Sequence, residues 1–203
     1  MFLDLSAPSG FQHTTIAIFA SGAGSNAQKI IEHLHDNKEI SVGLIVCNKP
    51  AAGVIQIAEA WQIPVLMIEK EVFLKGNAYI NELRRASIDF IVLAGFLWKI
   101  PELLIQNFRT RIINIHPALL PKYGGKGMYG SKVHEAVIAA GEKESGITIH
   151  FVDEHYDNGD VIFQATCPVF EEDTADILAE RIHQLEHENF PGVVEECVLS
   201  LQS

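Results

Sequence analysis

Up to residue 121 the chain alternates between short, almost wholly apolar runs and longer stretches whose apolar positions follow a helical spacing. Thr14 to Ala20, Val42 to Cys47, Pro64 to Ile68, Asp89 to Ala94 and Arg111 to His116 are of the first kind and predict buried strands. Between them, Ile30, Ile31 and Leu34 mark one helix, and Ile57, Ala58 and Trp61 mark a second over Gly53 to Trp61. A loop, Glu69 to Gly76, then leads to a helix of about ten residues, with Tyr79, Ile80 and Leu83 as its apolar stripe and Arg84 and Arg85 near its end. Pro101 opens another short helix, since proline is comfortable in a first turn. Strands this hydrophobic, alternating with helices, predict an α/β fold: a Rossmann-like, mostly parallel sheet with helices on both faces.

After Pro121 the pattern changes. Lys122 to Gly130 holds four glycines in nine residues and reads as a mobile loop. Ser131 to Ala140 is a predicted helix ended by Gly141. Gly146 to Val152 and Val161 to Val169 predict an antiparallel C-terminal strand pair across the turn Asp153 to Asp160. Asp173 to Asn189 is an amphipathic helix capped by Asp173 or Thr174, and Pro191 is expected to break it before a last helix, Val193 to Leu201. No repeat or linker divides the chain, so 1–203 reads as one domain, with 1–13 a loose N-terminal tail.

Composition narrows the function. With 48% apolar and 20% charged residues the chain has the make-up of a soluble globular protein. Fifteen basic against 26 acidic residues give −11, a field that repels polyanions and argues against nucleic acid as the partner. Cys47, Cys167 and Cys197 are odd in number and far apart, as free thiols in a reducing compartment are. The first residues lack the pattern of a signal peptide, and no apolar run is long enough to span a membrane. The expectation is a cytoplasmic protein with small-molecule partners, no membrane contact, and an oligomeric state, monomer or homodimer, left open.

Candidate chemistry centres on the fifth strand. Asn114 and His116 interrupt Ile112, Ile113 and Ile115, and side chains two apart in a strand share a face. Pro117 then stops the strand, leaving an amide and an imidazole side by side at its carboxyl end, where open α/β sheets bind ligands. Such a pair can stabilise an oxyanion and move a proton, given a carboxylate to orient the ring. Asp157, in the acidic turn, is the best-placed carboxylate, although that turn also reads as a solvated hairpin. Its spacing does not match an EF-hand calcium loop. The loop Ser21-Gly22-Ala23-Gly24-Ser25-Asn26, between strand and helix, fits either an anion cradle or a tight turn without a ligand; it is neither a P-loop nor a dinucleotide fingerprint. His183-Gln184-Leu185-Glu186-His187 matches a zinc-protease pattern, but nothing nearby in sequence offers a third ligand, and a bland polar helix face is the preferred reading. No Gly-x-Ser-x-Gly elbow supports a serine hydrolase.

Taken together, these motifs are familiar. Ser21 to Asn26 after the first strand, Leu93-Ala94-Gly95-Phe96 after the fourth, Asn114-Ile115-His116-Pro117 with Leu119, Leu120 and Pro121, then His150-Phe151-Val152 and the Asp157-Asn158-Gly159 turn, resemble the phosphoribosylglycinamide formyltransferases. These are folate-dependent transformylases of purine biosynthesis, and the resemblance runs from Thr14 to Val198. It implies that Asn114, His116 and Asp157 are the catalytic set. It also implies that Gly24, Ser25 and Asn26 hold the acceptor's phosphate, with Glu186 on its ribose or glycinamide part and Gly95 and Pro117 lining the same cleft. Leu97, Trp98, Lys99, Ile100, Val152, Asp153 and Tyr156 would enclose the pterin of 10-formyltetrahydrofolate, the co-substrate, and no metal is implied. Two departures stand out: Leu97-Trp98-Lys99-Ile100 replaces the Met-Arg-Ile-Leu common in relatives, and His183 stands where Lys or Gln is usual. The glycine-rich loop 123–132 would suit a lid.

The implied reaction is direct attack of the ribonucleotide's amine on the formyl carbon, with the oxyanion held by Asn114 and His116 and supported by Asp157. Rival expectations are hydrolysis of formyltetrahydrofolate, formyl transfer to another amine such as methionyl-tRNA or a sugar, and a non-catalytic phospholigand-binding domain. The first two enzymes usually carry a further domain that this sequence pattern does not predict.

Overall fold

A computed structural model describes residues 13–201. Seven strands form one sheet in the order β3-β2-β1-β4-β5-β6-β7. Five of them, β1 (Thr14–Ala20), β2 (Ile40–Cys47), β3 (Val65–Met67), β4 (Phe90–Leu93) and β5 (Ile112–His116), run parallel. β6 (Glu144–Phe151) runs antiparallel to β5, and β7 (Val161–Pro168) is antiparallel to β6. The tail expected over 1–13 lies outside the described residues except for His13, whose ring is hydrogen-bonded to the Lys38 carbonyl and the Ser41 hydroxyl.

The strands are apolar on both sides because both sides are covered. Ile16, Ile18, Ile45, Phe90, Val92 and Ile113 face a core built with α1 (Ser25–Leu34), α2 (Gly53–Ala60), α6 (Ser131–Ala139) and α7 (Ala175–Ser200). Their sequence neighbours Ala17, Phe19, Leu44, Val46, Ile91 and Ile112 face a second core under α3 (Lys70–Leu74), α4 (Ile80–Arg85) and α5 (Glu102–Asn107). This alternation follows from the two-residue period of a strand. The chain leaves β1 to build β2 and β3 on one side, then crosses back to pair β4 with β1 on the other. The loops after β1 and β4 therefore diverge and open a crevice at the carboxyl edge, the usual ligand position in such sheets.

Three expected elements are corrected. The loop Glu69 to Gly76 contains α3, a single helical turn too short to show a periodicity and held by Phe73, which is 2% exposed. The ten-residue helix after it shrinks to the six residues of α4. Pro191 does not break the last helix: α7 runs for 26 residues through it. A proline inside a helix costs about 3 kcal/mol, but Phe190, Val194 and Val198 are fully buried on the same helix, and each contributes about 1.5–3 kcal/mol. Packing outweighs the local preference. Among the described residues no helix is long and apolar enough to cross a membrane.

Candidate active site

The crevice is a cavity of about 690 Å³. Its floor is the pair of loops after β1 and β4, tied together where the Ser21 N–H donates to the Gly95 carbonyl and the Leu97 N–H donates to the Ser21 hydroxyl. Gly24 sits at φ +85°, and a Cβ there would lie 2.7 Å from the Val54 side chain and 2.8 Å from its backbone, so this turn requires glycine. It delivers the chain into α1 with Ser25 and Asn26 in the first turn, facing the cavity. No side chain caps that turn, so its N–H groups and dipole are available to an anion.

Asn26 is fixed from across the cleft. Its Nδ2 donates to Glu186 Oε2 at 2.8 Å. Glu186 is only 6% exposed, and burial pushes its carboxyl above the usual carboxylate range, against the opposing pull of the Asn26 bond and of His183. His183 also lines the cavity, while His187, its ring stacked 6.5 Å away, faces a separate hollow beside Lys29 and Glu32. The zinc-like spacing therefore splits its histidines between two surfaces.

The other end is built by β5 and β6. Asn114 is in register with His150, and His116 with Thr148. The His150 Nδ1–H donates to the Phe151 carbonyl at 2.8 Å, so its Nε2 is the acceptor for Asn114 Nδ2, 3.1 Å away. Burial holds the His150 ring below the ordinary histidine range, despite the raising influence of the Phe151 carbonyl and Asp157, which favours the neutral form this bond needs. The amide's second hydrogen remains available beyond that bond. The His116 Nε2–H donates to the Tyr123 carbonyl at 2.8 Å, leaving Nδ1 turned toward Asp157 Oδ2 at 3.7 Å. Asp157 Oδ1 is 3.8 Å from His150 Nε2, and its Oδ2 accepts from the Gly125 N–H at 2.8 Å. One carboxylate thus stands between two imidazoles, only 3% and 2% exposed.

The third wall is the segment after β4. Trp98 packs into an aromatic cluster with Phe73 and Phe96, at ring separations of 5.9 and 6.1 Å, and this is where the unforeseen α3 contributes. Lys99 lies 5.8 Å above the Tyr156 ring, Leu97 is exposed, and Ile100 is buried beneath them. Val152 and Asp153 complete that side, and Gly95 and Pro117 connect it to the rest.

Every residue that the sequence assigned to the catalytic, acceptor and folate sets lines this one cavity. Sequence reasoning gave His150 only as part of a family motif and the Tyr123 to Gly125 turn only as part of a lid, and it missed His134. His150 was legible as a member of a predicted strand, but its place opposite Asn114 depends on the β5–β6 register. His134 is 3% exposed on α6, its ring pushed below the ordinary range by burial and then by His183 and His116.

A family profile described as formyl transferase matches residues 14–194. The chain is 45% identical over 189 residues to the chloroplastic phosphoribosylglycinamide formyltransferase of Vigna unguiculata, covering 89% of this chain. It is 40% identical over 185 residues to the phosphoribosylglycinamide formyltransferase of Bacillus subtilis, covering 89% of this chain and 92% of that one. The chain spans 59% of the length of the Vigna relative and 63% of that of its Arabidopsis thaliana counterpart. Among solved structures, phosphoribosylglycinamide formyltransferase from Bacillus halodurans superposes with a TM-score of 0.82 at 34% identity, over 90% of this chain and 94% of that one.

Proposed function

The chain belongs to the formyl transferase family, and on that premise we propose that it transfers the formyl group of 10-formyltetrahydrofolate to the amine of 5′-phosphoribosylglycinamide in de novo purine biosynthesis. One observation carries the reading: the cavity has an anion-accepting helix start at Gly24, Ser25 and Asn26 and a polar cluster of Asn114, His116 and Asp157 along the same wall-to-wall space. The first suits the acceptor's phosphate and the second suits the reacting carbon. Glu186, bonded to Asn26, meets the acceptor between them, with Gly95 and Pro117 beside it. Leu97 to Ile100 with Val152, Asp153 and Tyr156, which line the same cavity, would enclose the pterin.

The amine's lone pair attacks the formyl carbon, forming a C–N bond and pushing negative charge onto the carbonyl oxygen. The second N–H of Asn114 and the ring of His116 stabilise that oxyanion. Because His116 Nε2 is committed to the Tyr123 carbonyl, Nδ1 is the atom that exchanges a proton, and the Asp157 charge complements the protonated ring. Collapse breaks the bond from carbon to the folate N10, which takes up a proton as the amine loses one. No covalent adduct and no metal enters these steps. The same reading takes 1–203 as one formyltransferase domain. It also takes the enzyme as cytoplasmic, a reading supported by three cysteines that are buried as free thiols.

Product formation with and without the ribonucleotide tests the reading. Formylated glycinamide ribonucleotide is expected, with little formate released when the acceptor is withheld. Formate alone would point to the hydrolase, and tight binding without product to a binding domain. Asn114→Ala is expected to lower kcat/KM by about 2.7–4 kcal/mol of transition-state stabilisation, and Asp157→Asn to lower kcat. Near-native turnover in both variants contradicts the assignment of the catalytic set.

A further inference from the structure

The Tyr123-Gly124-Gly125 turn touches both ionisable members of the polar cluster, yet its own anchor lies outside the cavity. Its Tyr123 carbonyl accepts from His116 Nε2 at 2.8 Å, and its Gly125 N–H donates to Asp157 Oδ2 at 2.8 Å. At Gly124 a Cβ would come within 3.2 Å of the Asp157 Cβ, so the backbone of the turn lies directly against that side chain. Tyr123 holds φ +57° and Asp157 φ +52°, conformations that L residues take only when surroundings fix them. The Tyr123 side chain packs against the larger core, and its hydroxyl donates to Glu142 Oε1 at 2.9 Å, where Lys122 Nζ meets the same oxygen at 2.8 Å. Glu142 stands just after α6, and none of these three side chains lines the cavity.

We propose that Tyr123 is a positioning residue, its phenol latched to Glu142 so that the turn's carbonyl sets the His116 tautomer while its N–H sets the Asp157 carboxylate. A backbone carbonyl only accepts, so it selects a ring protonated at Nε2 and reserves Nδ1 for the proton that moves during transfer. Without the latch, Tyr123 can leave its left-handed conformation and take both contacts with it. Burial and the Glu142 bond push the Tyr123 phenol up, which keeps it a donor across neutral pH. The titratable groups around His116 are Asp157 from the β6–β7 turn, His150 from β6 and His134 from α6, and none of them touches the latch.

This proposal rests on the formyl-transfer reading only for its kinetic consequence; the tautomer is measured without turnover. Ring nitrogen-15 shifts of histidine-labelled protein, with His116 assigned through His116→Gln, are compared in the unaltered chain, Tyr123→Phe and Glu142→Ala, which removes the acceptor of the Tyr123 hydroxyl. In the unaltered chain the neutral form of His116 is expected to carry its proton at Nε2, and in both variants the Nδ1–H tautomer is expected to rise. Each variant should lose roughly tenfold or more in kcat, the scale of one hydrogen bond to a charged group, with both KM values held. The double variant should be no worse than either single one. Unchanged His116 shifts in both variants, or additive losses in the double, overturn the proposal. Glu142→Ala leaves the Tyr123 ring in place, so a folding defect in Tyr123→Phe does not decide the matter. Altered shifts in a chain that makes no formylated product would retain the latch and reject the formyl-transfer reading.

Discussion

Glu186 shows how a single side chain can serve binding against stability. Its carboxyl is buried beside Asn26 and its pKa is raised chiefly by desolvation. A carboxyl whose folded-state value lies above its unfolded value binds its proton more tightly in the native state. Its stabilising contribution is therefore complete below the unfolded value near 4.5 and is lost as pH rises through the folded value. Glu186→Gln is expected to raise the melting temperature near neutral pH and leave it unchanged in acid, because the neutral amide can still accept from Asn26. The same change should raise acceptor KM roughly tenfold or more, the cost of losing a charged hydrogen-bond partner worth about 1.5–3 kcal/mol. Melting curves across pH and acceptor kinetics check the two halves separately. A pH-independent difference in melting temperature would show that the buried charge is not the cause.

At the scale of elements, α7 decides more than its local sequence suggests. It carries Glu186 and His183 to the cavity on one stretch and packs Phe190, Val194 and Val198 into the core on the next. A break at Pro191 would have uncoupled these two tasks. The helix starts at Thr174, whose hydroxyl accepts from the Ile177 N–H. Just ahead of it, Arg181 pairs with Asp173 at 2.7 Å and donates to the Pro168 carbonyl, which ties the helix to the end of β7. Thr174→Ala is expected to cost about 1 kcal/mol of unfolding free energy, read as a shift in urea midpoint at constant slope. Acceptor KM should hold, since Glu186 lies three turns further along. A loss of binding without a loss of stability would mean that the cap acts on the site itself.

For the molecule as a whole, the buried histidines set the acid limit. Burial holds His150 and His134 below the ordinary histidine value of 6.5, and both line the cavity. A base with a depressed folded-state value binds protons more readily when unfolded, so stability is complete above about 6.5 and falls as pH drops toward the folded values. Melting temperature is expected to decline below that point, and His134→Gln should flatten the decline. An unchanged slope in that variant would assign the acid sensitivity elsewhere. The net charge of −11 is not concentrated in the cleft, where Lys49, Lys99 and Lys126 line the cavity alongside Asp153, Asp157 and Glu186.

What the sequence determined by itself were the features written in local order. The two-residue and 3.6-residue periods fixed the strands and most helices, because burial on two faces of a sheet demands them. Glycine at residue 24 and the Asn114-x-His116-Pro117 run marked the two ends of the cleft, since backbone freedom and strand parity are local properties. The family resemblance extended this to Asp157 and Glu186. The tertiary structure decided what depends on distant partners. The β5–β6 register set His150 against Asn114, and the packing of Phe190 and its neighbours carried α7 through Pro191. Aromatic contacts made a helix of the segment at Phe73. The hand-off from Tyr123 to His116 needed a glutamate 19 residues away along the chain. A local pattern specifies which groups face the same way; only the closed fold specifies which group each of them meets.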